Sequence, residues 1–289
     1  MMQAIKTIGL VAKKHNDEAV ALADEMSAWL SRRGVSVFLL DRDQAFSREE
    51  QSGWLGQADL VLVLGGDGTM INAIKLLAGK NIPIAGVNLG RVGFLLELSR
   101  DTWATALERA ITHGFVSEER LMLRCELVRD GNVILSEMAT NEAVIARSGI
   151  ARLVGMDISV GGRPFLYLRA DGIIFSTPTG STAYASSAGG PLLYPALNAY
   201  SVTAVCPFMS RLQPLVLGGE TDCSLTVREI SAKTFLTLDG QHYIKLFDQD
   251  VVRLRGVPGA MRLAQFGLAG YLDKLRNGGI VRDSPGNNG

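Results

Sequence analysis

LVLVLGGDGTMINAIKLL, residues 60–77, joins an apolar run, a turn in which one acid stands among three glycines, and a helical pattern of apolar residues. Leu60 to Leu64 reads as a buried strand, and the stretch from about Thr69 to Ala78 as a helix. A strand that feeds a helix through a glycine turn points backbone N–H groups and a helix N-terminus outward from the carboxyl edge of a parallel sheet. Phosphate is the natural guest there. Gly65-Gly66-Asp67-Gly68 is not the Walker pattern, since no Gly-Lys-Ser/Thr follows, and it is not the dinucleotide fingerprint GxGxxG. Asp67 is the anomaly, because a carboxylate roughly 4 Å from a phosphate in a low-dielectric site costs several kcal/mol. It needs a task, as a metal partner or as the base that takes a proton from an attacking hydroxyl in phosphoryl transfer. The alternative is an Asp that simply N-caps the following helix.

Around this turn the first third of the chain alternates between two periods. Ile5 to Val11 and Val35 to Leu40 are strand-like, Asp17 to Arg33 is helical with Gly34 as its stop, Ile82 to Val87 is a buried-type strand, and Thr102 to Thr112 is a helix ended by His113-Gly114. Such alternation implies a parallel sheet with helices on its faces. After about Ser117 the texture changes to short strand-like runs separated by turns: LMLRCELV, Asp130-Gly131-Asn132, VILSEMATNEAVIA, MDISV, Gly161-Gly162 and FLYL. Ser201 to Cys206, Ser224 to Val227, Phe235 to Leu238 and Val251 to Leu254 continue the pattern to about Gly256. A predominantly β second domain is expected. The tail Gly267 to Leu275 is helical with one apolar face, and DSPGNNG at the end is expected to fray. The boundaries expected are residues 1–117 with the tail 262–289 returning to them, and residues 118–261.

The 289 residues are 47% hydrophobic and 20% charged, enough to bury a sizeable core. Lys plus Arg and Asp plus Glu both total 29, so no global basic field exists to hold nucleic acid or an anionic membrane. Any anionic ligand must be met locally. Cys125, Cys206 and Cys223 have no CxxC spacing and read as buried thiols of a reducing compartment. No signal-peptide or membrane-spanning run is evident, so the expectation is a cytoplasmic protein.

A second site-like run is RADGIIFSTPTGSTAYASSAGGPLLYP, residues 169–195. Thr177, Thr179, Ser181 and Thr182 set four hydroxyls around a tight turn, and Tyr184 with the small Ala183, Ala185, Ser186 and Ala188 lets something flat approach closely. A nucleoside fits this description. A capping turn whose hydroxyls bond their own backbone fits it too. Thr140-Asn141-Glu142 interrupts an apolar run in what reads as mid-strand, where a polyhydroxylated ligand or a solvent-facing position would explain it.

Four landmarks, GGDGT at 65–69, NLGRVGFL at 88–95, NE at 141–142 and DGIIFSTPTGSTAY at 171–184 running into SAGGP at 187–191, occur in one order. In that order the chain resembles the ATP-NAD kinase family. GGDGT alone is shared with lipid kinases of the diacylglycerol type, which would follow it with GT-x-ND, and here NLGRVGFL stands in that place. The resemblance implies a Rossmann-like α/β N-terminal domain, a β-rich C-terminal domain, and a last helix packing back on the first. It implies transfer of the terminal phosphoryl group of ATP to the 2′-hydroxyl of the adenosine ribose of NAD. Asp67 would accept the proton, with Gly68 beside it and Gly65, Gly66, Gly68 and Thr69 forming the phosphate loop. Asn141 and Glu142 would bind ribose and base, Phe94 would lie against the adenine, and Asp171 would take a base or amide N–H. Arg152 and Arg169 would line the dinucleotide site, Thr182, Ala183, Tyr184 and Ser187 would form its wall, and Gln241 would add a contact. Asn72 stands where many members carry Arg, and Arg169 goes with a lean toward NAD over NADH. A divalent cation such as Mg2+ would arrive with ATP, since no metal-ligand cluster is evident, and a homodimer or homotetramer is implied. A lipid kinase and a non-catalytic nucleotide sensor are the rival readings; a sensor would be expected to lack the acid that Asp67 supplies.

Overall fold

The computed structural model describes all residues except 1–4, 14, 41–47, 91–92, 150–152, 210–211, 229–232, 269 and 282–289. The expected fraying of DSPGNNG therefore lies outside the described residues. The chain divides into two compact units, residues 1–119 with 261–289, and residues 120–260.

In the first unit the strands Pro83–Asn88, Leu60–Gly65, Thr7–Ala12 and Ser36–Leu40 lie side by side in that order, all parallel. Every residue of Leu60–Gly65 is buried, as a strand covered on both faces must be. The helices Asp17–Ser31 and Trp103–His113 pack Leu22, Met26, Leu30, Trp103 and Leu107 onto this sheet. Asn16 caps the first of these helices, its side chain accepting the Ala19 N–H at 2.8 Å. The expected helix in the tail is observed at Tyr271–Asn277, four residues later than its apolar pattern begins. A short helix, Arg48–Leu55, was not legible, since its residues are largely polar.

The second unit is antiparallel. One sheet orders the strands Leu215–Gly218, Ala199–Val205, Gly172–Ser176, Glu142–Ser148, Lys233–Leu238 and His242–Leu246. In the other, Val154–Val160 pairs with Arg163–Ala170 and with Cys223–Arg228, and the latter pairs with the start of Val251–Gln265. Residues of both sheets, among them Met156, Phe175, Tyr200, Leu225 and Leu236, share one core.

Two expectations need correction here. Val251–Gln265 runs well past Gly256, and its last residues belong to the first unit, where Arg262 and Leu263 pair with Pro83 and Ile84. A Pro-Gly pair is ordinarily a turn signal, yet the strand continues through Pro258-Gly259. Thr140-Asn141-Glu142 is not mid-strand: Asn132–Ala139 ends before it and Glu142–Ser148 begins at its last residue. Thr140 and Asn141 form the corner at which the chain leaves one pairing and enters another.

Candidate functional site

The glycine turn emerges where Leu60–Gly65 ends, with Gly65 in register with Asn88. The helix that follows begins at Asp67, two residues earlier than its apolar pattern suggests, and Gly66 occupies the N-cap position without a side-chain cap bond. Asp67 is thus not the cap. Its carboxylate instead accepts backbone N–H groups from across the fold, Phe94 N–H to Oδ2 at 3.2 Å and Leu95 N–H to Oδ1 at 3.4 Å. These bonds orient the group from outside its own helix and leave it only part-buried.

The glycines of the turn differ in what they serve. A Cβ at Gly65 would come within 2.9 Å of Thr69 Oγ1 and 3.2 Å of Lys13 Cβ, so packing forbids a side chain there. A Cβ at Gly66 or Gly68 would meet nothing within 4 Å, and neither residue has a positive φ. Packing among the described residues therefore does not demand glycine at these two positions. Gly93, inside NLGRVGFL but given no role in the sequence reading, is demanded by Asp67: a Cβ there would lie 2.2 Å from Oδ1. Phe94 is part-buried next to it, and Asn72 is exposed on the helix.

In the second unit Asp239 organises the corner at residues 140–142. Its carboxylate accepts three successive backbone N–H groups, from Thr140 at 3.0 Å, Asn141 at 2.7 Å and Glu142 at 3.1 Å. Its own N–H donates to the Glu142 carbonyl at 2.9 Å. Asp239 and Gly240 both have positive φ, 52° and 66°, and the Gln241 N–H donates to the Leu238 carbonyl, the geometry of a tight hairpin turn. In sequence Asp239-Gly240 is legible as a turn only, so the role of the carboxylate was missed.

Two hydroxyls of the Thr/Ser run bond backbone, each with one partner inside the turn and one outside it. Thr177 Oγ1 donates to the Thr140 carbonyl at 2.7 Å and accepts the Gly180 N–H at 2.9 Å. Ser181 Oγ donates to the Pro178 carbonyl at 2.7 Å and accepts the Leu193 N–H at 3.1 Å. Gly180 is packed so tightly that a Cβ would stand 2.1 Å from the Asn141 carbonyl oxygen. Thr182 and Ala183 follow at the end of a 3-10 turn, Thr179–Thr182, and Tyr184 and Ser187 are exposed on the short helix Tyr184–Ser187.

Glu142 is the chemical centre of this corner. It is 7% exposed, and burial first, then the charge of Asp239, pushes its carboxyl up to about 7 against the pull of a hydrogen bond from the Tyr184 backbone N–H. Among the described residues, Glu142 Oε2, Thr140 Oγ1 and Thr179 Oγ1 are buried without a hydrogen-bond partner. Buried polar atoms are ordinarily satisfied, so these three carry hydrogen-bonding capacity that the described residues do not use.

Asn141, Glu142, Thr182, Ala183, Tyr184 and Gln241 are thus gathered by one corner and its flanking turns. Asp171 and Arg169 are not. Ser176 pairs with Glu142 while Gly172 pairs with Ala146, which sets Asp171 beyond the opposite end of that strand, more than about 13 Å from Glu142. There Asp171 Oδ1 accepts Arg147 Nε–H at 2.7 Å, an ion pair where the sequence reading expected a ligand N–H. Arg169 is exposed, and its carbonyl accepts the Phe208 N–H at 2.8 Å. Arg152 lies outside the described residues. No group of three or more His, Cys, Asp or Glu among the described residues is arranged to hold a metal ion.

Comparison with known proteins accounts for both halves of this arrangement. The model of the ATP-NAD kinase N-terminal domain matches residues 8–115, and that of the ATP-NAD kinase C-terminal domain matches residues 140–266. The chain belongs to the ATP-NAD kinase family. The NAD kinase of Nitratidesulfovibrio vulgaris strain DP4 is 44% identical over 283 residues, covering 98% of this chain and 94% of the relative. That of Citrifermentans bemidjiense is 38% identical over 280 residues, covering 94% and 97%. Among solved structures, an NAD kinase from Archaeoglobus fulgidus in complex with ATP superimposes with a TM-score of 0.72 at 25% identity, over 90% of this chain and 94% of that one. Yeast NADH kinase complexed with NADH reaches 0.81 at 22% identity, over 95% and 86%, a likeness of fold.

Proposed function

We propose that this chain is an NAD kinase, transferring the terminal phosphoryl group of ATP to the 2′-hydroxyl of the adenosine ribose of NAD to give NADP and ADP. The observation that carries the reading is a carboxylate held by two distant N–H groups at the mouth of a glycine turn, in a chain of this family.

The chemistry follows from the parts. The backbone at Gly66 and Gly68, open to close approach, receives donor phosphate oxygens. Asp67 takes the proton of the 2′-hydroxyl as that oxygen forms its bond to the γ-phosphorus and the bond from phosphorus to the ADP oxygen breaks. Asn141, Glu142 and the unpartnered hydroxyls of Thr140 and Thr179 supply polar contacts for the ribose and base of NAD. Phe94, Thr182, Ala183, Tyr184, Ser187, Gln241, Asp171, Arg169 and Arg152 complete the dinucleotide contacts, as the family resemblance assigns them. A divalent cation delivered with ATP, as the family resemblance implies, would neutralise charge on its phosphates.

The chain works as a homodimer or homotetramer, a reading supported by Phe165 and Tyr167, which are 48% and 44% exposed on the edge strand Arg163–Ala170. A cytoplasmic setting is supported by the free thiols of Cys125, Cys206 and Cys223, of which Cys125 and Cys223 are buried as expected while Cys206, against expectation, is exposed. No helix among the described residues is long and apolar enough to cross a membrane.

The test is an acceptor and donor matrix with purified protein and magnesium. NADP forms from NAD and ATP. Absence of NADP with phosphorylation of diacylglycerol instead would overturn the assignment in favour of the lipid kinase.

A further inference from the structure

The Asp67 carboxylate is oriented by the N–H groups of Phe94 and Leu95, which raises the question of what orients them. The peptide joining Phe94 to Leu95 is engaged at both ends. Its N–H, that of Leu95, donates to Asp67 Oδ1, and its C=O, that of Phe94, accepts Lys274 Nζ at 3.2 Å. A trans peptide is planar and carries these two groups on opposite sides. Fixing the carbonyl therefore fixes the direction of the N–H, and a cationic donor on the oxygen polarises the N–H toward the carboxylate.

Lys274 belongs to the helix Tyr271–Asn277 near the end of the chain. The same helix meets the Phe94 side chain at its C-cap, Gly278: a Cβ there would come within 2.9 Å of Phe94 Cε2 and Cζ, and within 2.9 Å of the Lys274 carbonyl. The chain entering the helix is tied to the same segment, because the Glu97 carboxylate accepts the N–H groups of Phe266 at 3.1 Å and Leu268 at 3.0 Å. On this helix Leu275 is buried and Leu272 is 68% exposed.

We propose that Lys274 and Gly278 are positioning residues for phosphoryl transfer, acting through the Phe94–Leu95 peptide to aim Asp67. The inference rests on the reading of Asp67 as the proton acceptor. Loss of the Lys274 bond frees the peptide to rotate, and a misaimed base lowers turnover more than it weakens binding of ATP.

The experiment measures kcat and both KM values for Lys274→Met, Lys274→Arg, Gly278→Ala and Asp67→Asn, and for the double variant Asp67→Asn with Lys274→Met, with thermal midpoints for each. Lys274→Met is expected to lower kcat about 10-fold with KM for ATP within a few-fold, and Lys274→Arg to recover most of the loss. Gly278→Ala, which presses on the Phe94 ring without touching the lysine charge, is expected to lower kcat in the same direction. In the double variant Lys274→Met adds nothing to the loss from Asp67→Asn, since both act through one group. Equal losses for Lys274→Met and Lys274→Arg, or losses that multiply in the double variant, overturn the positioning role while leaving Asp67 as base. If Asp67→Asn alone leaves turnover intact, the reading of Asp67 falls first and takes this inference with it.

Discussion

Two turns in this molecule are built from the same residue types and end in opposite states. At Gly65–Thr69 the acid is held by amides from a distant segment, and two of its neighbouring glycines face open space. At Ala139–Glu142 and Thr177–Ser181 the buried Asp239 carboxylate accepts three backbone N–H groups, and the hydroxyls of Thr177 and Ser181 each donate to one backbone group and accept from another. The first turn keeps its polar capacity for a guest. The second spends most of its own on a rigid corner and leaves a few atoms over, Glu142 Oε2 and the Thr140 and Thr179 hydroxyls. A carboxylate left part-buried with two amide donors and open space beside it is therefore the better candidate for chemistry, and a buried one engaged by three amides is scaffold.

The largest expected effect tests the open turn. Asp67→Asn keeps the size of the side chain and accepts from Phe94 or Leu95 through its one oxygen, at the cost of the other of these two bonds, and it cannot take a proton. Turnover is expected to fall by about 10²-fold or more, the usual loss for a general base, with NAD affinity by calorimetry within a few-fold of the parent. A turnover within a few-fold of the parent would make the carboxylate an orienting group and erase the contrast with Asp239.

Asp239→Ala tests the closed corner and should be read in stability before activity. The substitution strands the N–H groups of Thr140, Asn141 and Glu142 beside a side chain that is 9% exposed. Each unsatisfied buried donor costs about 1–3 kcal/mol, and water entering the vacated space offsets part of the sum, so a loss of about 2–4 kcal/mol in denaturant unfolding is expected. A loss under about 0.5 kcal/mol would mean that the corner does not depend on the carboxylate and that Asp239 belongs with Asp67 as a group kept for ligand.

The contrast also explains what sequence could and could not reveal. Leu60–Gly65 and its helix were legible because a fully buried strand and a one-faced helix write their periods into the apolar residues. Asp67 was legible as an anomaly, since an acid in a phosphate turn conflicts with simple electrostatics. Its helix nonetheless starts two residues earlier than its apolar pattern, because polar residues of a first turn carry no apolar period. Gly93 and Asp239 were not legible in their roles. Their partners lie 26 and about 100 positions away, and no local pattern records a distant bond. The strand Val251–Gln265 was cut short for a related reason: Pro258-Gly259 is a turn signal locally, and only pairing with Pro83 and Ile84 far along the strand carries it onward. For the Thr/Ser run composition left two readings open, and bonding geometry was needed to divide the hydroxyls between scaffold and guest.

The smallest effect sharpens the boundary between the two states, at Glu142, which belongs to the closed corner yet retains an unpartnered oxygen. Its carboxyl is raised from 4.5 to about 7, chiefly by burial and then by Asp239. A carboxyl raised in the folded state holds its proton more tightly folded than unfolded. The stability it contributes is therefore complete below about pH 4.5 and is lost as the pH rises through about 7. Between pH 5 and 7 that loss amounts to about 2 kcal/mol. Glu142→Gln carries no proton to lose, so its unfolding free energy should lack this component of the slope, and it should match or exceed the parent at pH 8. Saturating NAD should flatten the parent's slope as well, if ribose hydroxyls reach Oε2 and stabilise the charged form. A Glu142→Gln variant with the parent's full pH slope would assign the slope to other groups and leave Glu142 ionised across the range, a binding carboxylate like Asp67 rather than a buried acid of the scaffold.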